Sequence, residues 1–135
     1  MRSHALGLCV VALLVSGAGR VTAHHAITAE FDPTKPVTFT GTVLKVEWMN
    51  PHIYTHVQVT QLDGKVVVYR VEGGPPNSLF RQGWRKDSLK VGDVVTVTGI
   101  RAKSDTSMNV GQATITMPDG RKIYGTGGNQ GQAQQ

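Results

Sequence analysis

The chain has 135 residues, a formal net charge of +5 and one cysteine, Cys9. That length suits a single domain, a lone cysteine closes no internal disulfide, and basic residues interspersed with acidic ones form no polyanion-binding run. Five histidines remain as the most informative donors.

MRSH supplies a short basic start and ALGLCVVALLVSGAG an apolar run of the length found in signal peptides, followed by VTA with small residues at the cleavage positions. The expectation is a signal peptide at 1–23 cut after Ala23, giving a periplasmic or secreted protein with no membrane span after processing. Leu8 stands before Cys9 where a lipoprotein signal needs a small residue, which argues against a lipid anchor. The cut removes Cys9, Arg2 and Arg20, leaving 112 residues with a net charge of +3 and no thiolate for metal or nucleophilic chemistry.

From there the dominant period is two. TFTGTVLKVEW (38–48), HIYTHVQVT (52–60), KVVVYRVEG (65–73), DVVTVTGIRA (93–102) and GQATITM (111–117) are rich in Val, Ile, Thr and aromatics, with Gly, Pro, Asn or Asp at their ends. Asp63-Gly64 predicts a tight hairpin, and Pro118-Asp119-Gly120 predicts a turn into a short last strand at RKIYG (121–125). The one helical segment is PPNSLFRQG (75–83), with Asn77 or Ser78 available to cap it and Gly83 placed to end it. Three strands, a short helix and further strands is the order of a small all-β, OB-like barrel of five to six strands, with an open β-sandwich as the competing arrangement. The β-domain is expected over 24–124, with a disordered Gly/Gln-rich tail at 125–135 that has no apolar side chains to bury beyond an alanine.

HHAITAEFD, KPVTFTGTV, VEWMNPH, NSLFRQGWRKDSLKVGD and VTVTGIRAK together resemble an uncharacterised family of small exported bacterial proteins, over roughly residues 24–124. The resemblance implies a periplasmic or secreted β-domain and brings no activity with it. The chemistry has to come from the residues.

His24 and His25 would open the processed chain, while His52 and His56 fall on one strand in NPHIYTHVQV. Alternation turns Ile53, Thr55, Val57 and Val59 to one face, and His52, Tyr54, His56 and Gln58 to the other. The aliphatic set should face the core, leaving the histidines outside. Positions four apart on a strand are separated by about 13 Å at ~3.3 Å per residue, too far for both imidazoles to reach one metal at ~2 Å. A site would therefore join His24 or His25 to His52, which follows Pro51 at the strand entrance, with His56 as a further candidate. A free α-amine and its own imidazole form a two-nitrogen chelate, and a further imidazole completes the T-shaped histidine brace. Such thiolate-free ligation favours Cu(II). The opposing reading is that exposed histidines near a terminus bind divalent metal weakly in almost any protein.

Glu30, Asp32, Glu47 and Glu72 read as solvated surface carboxylates, and Trp48 and Met49 as cover for a strand end. GxSxG, HExxH and phosphate-cradling motifs are absent from the sequence. Arg81, Trp84 and Arg85 form the most basic aromatic cluster, and export argues for an envelope protein or polymer there, with no nucleic acid. Two functions remain: a non-catalytic binding module with a copper-type site at His24, His25 and His52, or an interaction domain whose histidines are incidental. An oxidative copper enzyme ranks behind both, because the chain is short and has no extended aromatic platform for a substrate.

Overall fold

Alternating β-branched and polar residues build six strands: β1 (Phe31–Glu47), β2 (Tyr54–Thr60), β3 (Val66–Glu72), β4 (Val94–Ala102), β5 (Asn109–Thr116) and β6 (Lys122–Ile123). Helix α1 (Pro76–Arg81) lies between β3 and β4. The computed structural model describes residues 29–123. The expected signal peptide, His24, His25 and the tail expected at 125–135 lie outside the described residues. The chain divides after Glu30. Of the first unit only Ala29 and Glu30 are described, both exposed and helical.

In the unit that begins at Phe31, β1 pairs antiparallel with both β2 and β4, β2 with β3, and β4 with β5. A parallel pairing of β3 with β5, Arg70 opposite Asn109 and Val71 opposite Val110, closes the ring β1-β2-β3-β5-β4. Closure decides for the OB-like barrel over the open sandwich. β6 extends β5 at Ile115 and Thr116. Inside the ring lie Val43, Ile53, Val57, Val71, Val95, Val97, Val110 and Ile115, each at most 2% exposed. Each such side chain contributes about 1.5–3 kcal/mol relative to exposure.

β1 begins at Phe31, earlier than the expected Thr38, because Phe31 opposite Ala102 and Pro36 opposite Ile100 carry the ladder past two prolines. The strand then serves both walls of the barrel, pairing with β4 through Pro36–Thr42 and with β2 through Thr42–Glu47. At the crossover a side chain on Gly41 would place its Cβ 2.3 Å from the Gln58 carbonyl oxygen. Glycine is what lets β2 approach that closely. Two residues further on, the register slips by one between Val43 and Lys45, with Leu44 as the extra residue.

The hairpins follow their expected turns. Gly64 and Gly120 adopt φ of 82° and 87°, and the Asp63 and Asp119 side chains accept from the Lys65 and Arg121 amides. α1 departs from expectation at its start. Neither Asn77 nor Ser78 caps it: Pro75 is the N-cap residue and no side-chain hydrogen bond is made there. Pro76 in the first turn has no N–H to satisfy and a preset φ, which lightens the need for a side-chain cap. Its end is as expected, with Gly83 at φ 91°. Gly83 N–H donates to Phe80 O at 3.1 Å and Trp84 N–H to Leu79 O at 3.0 Å, the bond pair of a Schellman motif.

The outer surface of the ring has two characters. On β1, β4 and β5 it is built of threonine, with Thr38 hydrogen-bonded to Thr98 at 3.3 Å and Thr40 to Thr96 at 2.9 Å, and Thr114 and Thr116 opposite the latter strand. On β1, β2 and β3 it is charged toward the end that carries Glu47 and Glu72, with exposed Val66 and Val68 toward the other. Among the described residues no helix is long and apolar enough to cross a membrane.

Candidate functional site

The charged face is laid out by strand register. One cross-strand row contains Lys45, His56 and Arg70, and the next contains Glu47, Tyr54 and Glu72. Thr55 and Val57, at the alternate positions of β2, are buried at 1% and 0%, so the alternation expected for β2 holds and His56 and Tyr54 point away from the core. Strict alternation from buried Val43 would have sent Lys45 and Glu47 inward. The extra residue at Leu44 reverses that and brings both to the face that carries His56.

His52 precedes β2 after the cis Asn50–Pro51 peptide. Its neighbour Ile53 is fully buried, and Ile53 exchanges backbone hydrogen bonds with Gly73 (2.8 Å) and Gly74 (3.2 Å), just beyond the end of β3. These bonds hold the loop beside Glu72, and His52 Nδ1 lies 2.8 Å from Glu72 Oε1. The His52 side chain is 35% exposed and that of Glu72 14%.

His56 is held in a second pair. Its Nε2 lies 3.0 Å from Glu47 Oε2, and Lys45 Nζ bonds the other oxygen of the same carboxylate. The hydrogen bonds from Lys45 and then His56 pull the Glu47 carboxyl down from 4.5 to about 2. Between the two pairs the Arg70 guanidinium lies 3.4 Å over the Tyr54 ring. The expectation that Glu47 and Glu72 are merely solvated is therefore corrected: each carboxylate binds one of the strand histidines. Neither partnership is visible to spacing, since Glu47 reaches β2 only through the bulge and Glu72 only through β2–β3 pairing.

The structure brings His52 and His56 to one face. Among the described residues no group of three or more His, Cys, Asp or Glu side chains is placed to hold a metal ion. His24 and His25 lie outside the described residues. Trp48 packs partly buried against the core, as expected for cover, whereas Met49 is 48% exposed.

The other cluster is committed in part to the fold. Trp84 packs against the core. Arg85 Nη1 donates to Phe80 O at 3.0 Å and Trp84 O at 2.8 Å, with the guanidinium 3.9 Å from the Phe80 ring centre. It thus closes the helix by taking up a terminal carbonyl. Arg81 is exposed at the end of α1.

No curated relative and no solved structure matches the chain. Residues 11–112 match a family of unknown function (DUF6152), and the chain belongs to that family.

Proposed function

We propose that this is an exported, periplasmic or secreted binding module that takes Cu(II) through His24, His25 and His52, and that it serves metal handling or delivery. The observation that carries the reading is His52 itself: an imidazole on the outer surface of a closed barrel, half-exposed at a strand entrance and tied to a carboxylate. Imidazoles that bind metal are commonly held this way, because a fixed ring loses less entropy on ligation. The remaining donors come from His24, whose amine and ring form a chelate once residues 1–23 are removed, and from His25. With Cys9 gone, the donor set is nitrogen-rich and suited to Cu(II) ahead of softer ions.

Titration of the chain beginning at His24 tests the reading. His52→Ala should weaken Cu(II) binding by at least about tenfold, about 1.4 kcal/mol. Equal affinity in the two proteins would remove His52 from the site and the reading with it.

A second reading has its own observation. The Arg70–Tyr54 stack places an aromatic ring and a cation on the β2–β3 face, where OB-folds bind extended ligands. An envelope protein or polymer engaging that face, or the region of Arg81, Trp84 and Arg85, would make this an interaction domain. Capture of such a partner by His52→Ala as well as by the parent chain would favour it.

A further inference from the structure

The two strand histidines are held by opposite ring nitrogens. His52 meets Glu72 through Nδ1, and His56 meets Glu47 through Nε2. An ionised carboxylate only accepts hydrogen bonds, so in each neutral ring the nitrogen facing it carries the proton and the other holds the lone pair. His52 is thereby the tautomer with its lone pair on Nε2, and His56 the tautomer with its lone pair on Nδ1.

These atoms are not equivalent as ligands. Nε2 lies at the far side of the ring from the backbone, whereas Nδ1 adjoins the carbon that bears Cβ, so a metal on Nδ1 must come close to the strand. In His56 the distal nitrogen is taken by Glu47, and Lys45 grips the same carboxylate and fixes it in place. Since the two imidazoles sit four residues apart on an extended chain, about 13 Å at ~3.3 Å per residue, one metal takes only one of them.

We infer that Glu72 and Glu47 sort the two histidines: Glu72 is a positioning residue that presents His52 Nε2 as the metal ligand, and Glu47 withholds His56 as a structural side chain. The inference rests on the copper reading for the identity of the ion, while the sorting itself is a property of the metal-free barrel.

The test has two parts. Long-range proton–nitrogen NMR of the metal-free protein at a pH of about 8 reads the tautomers directly. His52 should be protonated at Nδ1 and His56 at Nε2. Glu72→Ala should release His52 and leave the His56 signals in place, which also reports that the barrel is intact, and Glu72→Gln should give a smaller change because it keeps one acceptor oxygen. Cu(II) titration of the chain beginning at His24 then compares variants. Glu72→Ala should lose about tenfold or more in affinity, while Glu47→Ala and His56→Ala keep the parental value. A His52 protonated at Nε2 in the parent protein overturns the sorting. So does a Glu72→Ala protein that binds as tightly as the parent when His52→Ala does not. Tautomers as stated, together with copper binding indifferent to His52→Ala, would instead defeat the copper reading and leave the sorting in place.

Discussion

Gly41→Ala strikes the crossover of β1 without touching any proposed ligand. The new Cβ would lie 2.3 Å from the Gln58 carbonyl oxygen, 2.8 Å from Val57 Cγ1 and 2.9 Å from Val59 Cγ2. The first of these is backbone within the β1–β2 ladder, so it cannot turn aside as a flexible side chain would, and β2 must move. Overpacking of this kind costs typically about 1–3 kcal/mol. The alanine returns roughly 0.4–1 kcal/mol by restricting the unfolded chain. A net loss of about 1.3 kcal/mol follows, which for a domain of this size lowers the melting temperature by roughly 5–10 °C. Thermal unfolding followed by circular dichroism measures it. Because β2 carries His56 and continues directly from His52, nitrogen chemical shifts of both imidazoles should move as well. An alanine variant that melts within a degree or two of the parent would show that β1 and β2 do not approach as described.

Two further outcomes follow from packing and charge. Ile53→Ala, at a fully buried position next to His52, should cost about 2–5 kcal/mol in chemical denaturation, and a loss under 1 kcal/mol would contradict its burial. The Glu47 carboxyl falls from 4.5 to about 2 on folding, so its contribution is complete above pH 4.5 and is lost as pH falls through about 2. The stability gap between the parent and Glu47→Gln should therefore shrink across that interval, and a gap that stays constant would contradict the pairing with Lys45 and His56.

Much of the barrel is legible in the chain because β-branched alternation and turn glycines are local signals. The inward facing of Ile53, Thr55 and Val57 reads correctly, although β2 begins at Tyr54 and not at His52, and so do the turns at Gly64, Gly83 and Gly120. Ring closure is not local: the parallel pairing of Val71 with Val110 joins residues far apart in sequence, which no periodicity reports. The start of β1 is hidden by Pro33 and Pro36, which read as strand breakers yet sit in the strand. The helix itself is legible in PPNSLFRQG, but its start is not, because Pro76 in the first turn stands where a side-chain cap at Asn77 or Ser78 is expected. For the site, alternation suffices to bring His52 and His56 to one outer face. The carboxylates that hold them are out of reach of that reasoning. Glu47 faces outward only because Leu44 is an extra residue in β1, and a one-residue slip inverts the facing of all that follows. Glu72 meets His52 only because Ile53 is bonded to Gly73 and Gly74.

Under the proposed function, a free amine at His24 and the imidazole of His52 take up copper together. Mass spectrometry of the protein recovered from its host fixes the first residue, and Cu(II) titration of the form beginning at His24 against the same chain with one added alanine before it separates this from adventitious binding. A start at His24 and binding of one Cu(II) that the added alanine weakens by at least about tenfold are expected. A different first residue, or equal affinity with and without the added alanine, would contradict it.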